Sequence, residues 1–457
     1  MKKTLIFLQA AIISCTAFAD YEDYDGQDMS NRVFEGGSSD RPLKLKYSTW
    51  VGANLSNSQF GAVGGEPTKE WHHNVDLTGA DFTNANLTGA SFGCEPINGT
   101  SAQAYLDDAI FTNSYITYAN FYGASGFTKE QLYSTASYKN KDLTGINLVH
   151  KNLSDWDFSG QNLTSVNFGS STLTGANFTD AIISNANLGT ANKEQIYSTK
   201  SYKEKNLRGV KLPNVSGWDL SGQNLMLSKI INYGSDTNLT KADLRGATFR
   251  TSETIPIYKN TIHVDGTIKN FSMKSVADSF SIRKYVPASE GGATISAKIG
   301  EDASISGGAE LTLETGAELE ITNSSLLTVS NNSSIFINTD ADSSTSLSVA
   351  SGAGLSFEDG AILKINVEGN FIASDTYTIA VISWGDDSRM TGLNDFTVDE
   401  TLFLSVNGVA CRGNWSYVIE NNKMLINFVA VPEPATFAAI FGLLALGFAV
   451  RRNLKRK

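Results

Sequence analysis

Side chains able to do acid–base, metal or nucleophilic chemistry are few and scattered in this chain of 457 residues. The four histidines are His72, His73, His150 and His263. His72 and His73 are adjacent, and neighbouring side chains in a strand point to opposite faces. No cysteine cluster or His-Glu-x-x-His run accompanies them. Serine is abundant, yet no Gly-x-Ser-x-Gly elbow occurs. The carboxylate pairs Asp107-Asp108 and Asp386-Asp387 fall in expected turns, where solvated side chains are the default. These residues therefore predict no catalytic, cofactor-binding or metal site. The sharpest functional signal is the tail, which has three parts in order. Pro432-Glu433-Pro434 is stiff and helix-breaking. Ala435 to Val450 is continuously apolar, and Arg451, Arg452, Lys455, Arg456 and Lys457 follow. By the positive-inside rule that basic end stays cytoplasmic. Sixteen residues rise only about 24 Å as a helix, short of a ~30 Å hydrocarbon core, and snorkelling basic side chains cover the difference.

This tail closely resembles a PEP-CTERM sorting signal, the substrate of an exosortase. The resemblance implies an exosortase as partner, Pro432, Glu433 and Pro434 as the processing motif, and Arg451 and Arg452 as the basic stop. A plain C-terminal anchor is the rival reading, and it does not require Pro-Glu-Pro. Residues 1–19 read as a signal peptide: Lys2 and Lys3, an apolar run from Leu5 to Ile13, and Ala17-Phe18-Ala19 before Asp20. Ile12-Ile13-Ser14-Cys15 loosely resembles a lipoprotein box. Cleavage after Ala19 would leave two cysteines, Cys94 and Cys411, too few for a disulfide framework.

The elements between these two signals are repetitive. From about Val51 to Phe249, Leu or Phe recurs every fifth residue: Leu77, Phe82, Leu87 and Phe92, then Leu163, Phe168, Leu173, Phe178, Ile183 and Leu188. Ala often stands two positions earlier, with Asn or Asp between. Five is neither a helical nor a strand period, so each unit reads as a short strand plus a turn with Leu or Phe inward. This stretch resembles the pentapeptide-repeat family. The resemblance implies an all-β fold, a right-handed quadrilateral β-helix with four units per coil over residues 51–250. Residues 20–50, acidic and rich in Tyr and Gly, read as a mobile arm and a strand capping the open end of the rod.

Two short helical inserts are expected near 128–140 and 192–204. Residues 128–148 and 192–212 align without gaps, and so do 155–163 and 217–225. Thr128 with Gln131 and Asn192 with Gln195 have capping-box spacing. Each helix is expected on the side of the rod, burying Leu132 and Tyr133, or Ile196 and Tyr197. Trp156, Trp218, Lys141, Lys151, Lys205, Gln161 and Gln223 stand where the family places a small inward residue. A narrow core does not hold them, which predicts widened coils near the helices.

Beyond Phe249 the five-residue period stops. Thr261 to Gly266 and the alternating runs after it read as antiparallel strands. An eight-residue repeat occupies 303–365: Leu311, Leu319, Leu327 and Ile335, then Leu347, Leu355 and Leu363. It predicts a second β-solenoid within a β-rich domain at 251–430, with a meander of hairpins as the alternative. This repeat is similar in composition to autotransporter passenger repeats. Longer strands follow, with a hairpin turning at Asn421-Asn422, as the expected cap. Residues 431–457 would carry the sorting signal and a transmembrane helix.

The formal net charge is −11. Acidic side chains far outnumber basic ones from Glu290 to Glu420. An acidic exterior argues against nucleic acid as partner. The leading expectation is an exported, non-catalytic surface or extracellular-matrix protein for structure or adhesion. It would cross the inner membrane, pause there as an anchored precursor, and associate with extracellular polysaccharide or envelope components. The alternative is a β-helical polysaccharide-acting enzyme, which needs acids, bases and Arg or Lys clustered on one face. A nucleic-acid mimic acting on topoisomerases conflicts with the signal peptide.

Overall fold

The computed structural model describes residues 12–13, 23–34, 43–60, 74–93, 103–249, 256–288, 292–322, 324–330, 332–340, 346–358, 360–368, 376–391, 397–398, 403–406, 409–412 and 414–429. The chain divides into two compact units. The first comprises Met1–Trp218, Gln223–Thr237 and Ala247–Pro256, and the second Asp219–Gly222, Asn238–Gly246 and Ile257–Lys457.

The first unit is a β-helix with one side per five residues. Asp142 pairs in parallel with Asn162, Asn147 with Asn167, Asn152 with Thr172 and Asp157 with Asn177, so each coil here takes twenty residues, four pentapeptides. Between pairs the chain turns a corner. In Leu143-Thr144-Gly145-Ile146 the Ile146 N–H donates to the Leu143 carbonyl at 3.3 Å, and Gly145 has φ +70°. That is the third position of a type II turn, which demands positive φ. Asp155, Ser165 and Ser170 hold the same conformation without glycine. Leu77, Phe82, Leu163, Phe168, Leu173, Phe178 and Leu188 are all buried, as the period predicts. Asn177 is exposed and Asn86 half-buried.

Aromatic ladders fill the N-terminal coils. Phe34, Phe60, Phe92, Phe121 and Phe127 stack in turn at 4.0–5.2 Å with near-parallel rings. A second ladder of Tyr24, Trp50, Phe82 and Phe111 meets the first edge-on. Offset stacking within a ladder and T-contacts between ladders suit the ring quadrupole. Residues 23–34 thus belong to the coil rather than to a free arm. Asp23 pairs with Thr49, Asp28 with Asn54, and Val33–Phe34 with Gln59–Phe60. Tyr24, Met29 and Phe34 keep the five-residue step with different side chains.

The two inserts are not appendages on the rod. Helices α1 (Lys129–Ser134) and α2 (Ala136–Lys139), and their copies α3 (Lys193–Ser198) and α4 (Lys200–Lys203), each replace one side of a coil. The Asn113 N–H donates to Ser134 and the Ala136 N–H to Ser114 on the rung below, and Asp180 and Lys200 repeat this with Ser198 and Ala181. Both capping boxes are present. Leu132 and Ile196 are buried, while Tyr133 and Tyr197 remain half-buried.

The second unit contains three parallel sheets that repeat in sequence, the plan of a three-sided β-solenoid. One joins Thr267–Ile268, Ala297–Ile299, Leu319–Ile321, Leu347–Val349 and Thr376–Trp384. The next joins Ser272–Met273, Ala303–Ile305, Leu326–Val329, Gly354–Phe357 and Arg389–Thr391. The third joins Ser279–Ile282, Glu310–Leu313, Ser334–Asp340, Ile362–Glu368 and Thr397–Val398. Three eight-residue units make one coil, so the meander reading falls away. The strands between 267 and 282 are parallel, not antiparallel as expected. The Asp265-Gly266 turn does bring Ile262 against Ile268 in an antiparallel bridge, but the strand itself pairs one coil further on.

A hairpin ends the unit. Asn414–Glu420 and Lys423–Val429 pair antiparallel, and Lys423–Val429 also pairs with Thr376–Trp384. Asn421 and Asn422 have φ +50° and +57°, as a type I′ turn requires. Most of the expected signal peptide, Cys94 and the whole of 430–457 lie outside the described residues, and the expected membrane helix Ala435–Val450 is among them. Among the described residues no helix is long and apolar enough to cross a membrane.

Candidate functional site

The duplicated helical sides gather the aromatic and cationic side chains of the first unit. Tyr133 and Tyr138 stack at 4.3 Å, with Lys129 and Lys141 Nζ 5.9 and 5.5 Å from the two rings. Tyr197 and Tyr202 stack at 4.1 Å between Lys193 and Lys205, each 5.4 Å away. Both hydroxyls of the first pair grip the next coil. The Asp157 N–H donates to Tyr133 Oη, and Tyr138 Oη donates to the Asp157 carbonyl at 2.9 Å. Burial first, then the neighbouring Tyr133 and Asp157, pushes the Tyr138 hydroxyl well above the usual phenol range, so it stays a donor.

The seven misfit residues find four solutions. Lys141 and Lys205 leave the core. Each occupies the left-handed position after its helix, with Lys141 donating to Tyr138 and Asp142 to Ser137, and Lys205 to Tyr202 and Asn206 to Ser201. This pair of bonds is a Schellman motif, which turns the lysine outward. Gln161 and Gln223 stay fully buried, and each Nε2 donates at 3.0 Å to a helix carbonyl, Tyr138 or Tyr202. Each Oε1 is buried without a protein partner. Lys151 is half-buried, donates to the Ala124 carbonyl and has its ammonium pKa lowered by burial. Trp156 and Trp218 are buried where a helical side meets the next rung, and Trp218 lies edge-on to Tyr197 at 6.0 Å. The expected widening is carried by the helical side itself, and the twenty-residue register continues through Trp156. These groups bind the fold to itself.

Titratable groups are most deeply buried in the second unit around Arg245. The Arg245 guanidinium holds Asp243 in a bidentate pair, at 3.0 Å from Nε and 2.7 Å from Nη2, and also donates to the carbonyls of Ile295 and Arg283. Both side chains are 1% exposed, beyond reach of a substrate. Glu314 stands 3.7 Å from Arg283. Burial raises its carboxyl pKa, Arg283 lowers it and Asp243 raises it further. Periodicity gave no warning that Arg283 and Glu314 join the local Asp243–Arg245 pair, because they come from different coils. His263 lies 4.7 Å from the Tyr258 ring, and burial, then Lys269, lowers its pKa against an opposing Asp265. His150 sits in a turn with φ +61°, and Asp107, Asp108, Asp386 and Asp387 are exposed. Among the described residues no three His, Cys, Asp or Glu side chains are placed to hold a metal ion.

The sorting residues Pro432, Glu433, Pro434, Arg451 and Arg452 lie outside the described residues. What the fold does fix is their point of attachment. Strand Lys423–Val429 is paired on both sides, and only Ala430 and Val431 separate it from Pro432. Comparison with known families finds pentapeptide repeats in eight copies, at residues 73–93, 142–180 and 152–189, and a PEP-CTERM protein-sorting motif at 430–454. The chain carries pentapeptide repeats and a PEP-CTERM sorting motif. The motif implies exosortase-dependent export, and the repeats suggest a non-catalytic β-helix. No curated protein matches the chain. The pentapeptide match covers the regular coils, whereas the bridged ladder runs from Asp23 to Phe249. Helical sides and longer coils break the linear pattern but keep the pairing.

Proposed function

We propose that this protein is an exported, non-catalytic surface or extracellular-matrix component, sorted by an exosortase and associated with extracellular polysaccharide or the envelope. The observation that carries the reading is the PEP-CTERM match at 430–454, beginning directly after the last paired strand. The chain is exported and held in the inner membrane by Ala435–Val450, with Arg451 and Arg452 preventing the tail from following it out. An exosortase then cuts near Pro432-Glu433-Pro434. Cutting there removes no residue of the hairpin, so the two β-solenoids would be released intact.

The test follows the mature C-terminus by mass spectrometry in the native host, with and without its exosortase. The expected product ends near Glu433 only when the exosortase is present, and Glu433→Ala abolishes processing without affecting export. Full-length protein ending at Lys457 in both strains would reduce the tail to a plain anchor.

A further inference from the structure

The third sheet of the second unit presents an unusual outer face. Ile335 and Ile337 point into the core, so Phe336 between them points out, and it is half-buried. The registers place Thr312 beside it on one neighbouring strand and Lys364 on the other. Ser334 and Asn338 flank it along its own strand. The Lys364 Nζ lies 2.6 Å from Glu310 Oε2, which also accepts from Ser334 Oγ at 3.1 Å. Asn366 donates to Asn338 Oδ1 at 3.0 Å. The result is one aromatic ring inside a grid of hydroxyl, amide and ionic groups. Rungs repeat about every 4.8 Å across the strands, comparable to the length of one sugar residue.

We propose that this face binds an extended, neutral hexose polymer, with the Phe336 ring stacking on the C–H face of one sugar and the surrounding groups meeting its hydroxyl rim. Neutrality follows from charge. Glu310 and Glu314 are matched by Lys364 and Arg283, so among the described residues of this face both cations are already paired. The acidic stretch around it repels polyanions.

The inference deepens the surface-protein reading by naming what the protein would hold. The test titrates the full-length chain, purified in mild detergent, with cellohexaose, with a β-1,4-linked mannohexaose and with polygalacturonate. At least one neutral hexamer binds, and polygalacturonate binds more weakly. Phe336→Ala weakens the hexamer about tenfold or more, while Phe336→Tyr keeps affinity within about threefold. Circular dichroism of both variants matches the parent, because the ring faces outward. No binding of either neutral hexamer, stronger binding of polygalacturonate, or unchanged affinity in Phe336→Ala would overturn the proposal. Self-association lost in Phe336→Ala, with no glycan binding, would overturn it in favour of a contact between copies. Glycan binding does not depend on tail cutting, so Glu433-dependent processing and Phe336-dependent binding fail separately.

Discussion

Replacing Phe178 by Ala tests the core of the first unit most directly. Phe178 is 2% exposed. Its ring stacks on Phe158 from the coil below, with centroids 5.4 Å apart and planes at 14°, and meets Phe168 edge-on at 5.8 Å. Truncation loses the transfer free energy of the ring and leaves a cavity, about 3–5 kcal/mol in ordinary cores. Collapse into the cavity is limited, because backbone bonds lock the adjoining rungs. The Phe158 N–H donates to Asn177 at 2.8 Å, and the Asn177 N–H donates to Trp156 at 2.9 Å. We therefore predict the upper half of that range, about 4 kcal/mol. Asn177→Ala, one residue away, removes exposed bonds to Asp157 and Thr179 and should cost about 1 kcal/mol or less. A double-mutant cycle of Phe158→Ala and Phe178→Ala should yield a coupling of about 1 kcal/mol for the stacked pair. Urea unfolding followed by tryptophan fluorescence measures all three, since Trp156 and Trp218 both report on this unit. Equal costs for Phe178→Ala and Asn177→Ala would refute the inward assignment of the five-residue ladder.

Thr135 and Thr199 join the two helices of each helical side, with the hydroxyl donating to Leu132 or Ile196 and accepting from Tyr138 or Tyr202. Thr135→Ala and Thr199→Ala should each cost about 1–2 kcal/mol, and closely matched losses in urea unfolding would confirm that the copies are equivalent. Gln161→Glu places a carboxyl in a fully buried site. It should destabilise by several kcal/mol at neutral pH and recover on acidification as the protonated acid donates to Tyr138, whereas a pH-independent loss would contradict the burial. For His263 the folded-state pKa is lowered, so the unfolded chain binds the proton more readily. Its contribution is full above the unfolded value of about 6.5 and declines as pH falls toward the folded pKa. His263→Gln should remove that slope from the pH dependence of stability.

Much of the fold was legible because each solenoid gives equivalent positions equivalent surroundings. A five-residue step places Leu and Phe on every side of a four-sided coil, and an eight-residue step marks one side of the second solenoid. The capping boxes at Thr128 and Asn192 were equally local, since a cap needs only residues three apart. The tail was readable for the same reason: motif, apolar run and basic end are contiguous. Periodicity tells which way a residue faces, but not which strand lies beside it. Partners here stand about twenty to thirty-five residues away, so the parallel pairing of 267–282 and the three-sided section emerged only from tertiary structure. The fates of Lys141 and Lys205 depended on a left-handed helix end, which overrides the five-residue register. Asp243 and Arg245 stand two residues apart, but Glu314 joins them from a separate coil, which no linear spacing encodes. Phe336 shows both limits: the alternation in Ser334–Asp340 announces that its ring faces out, and only the stacking of coils places Thr312 and Lys364 beside it.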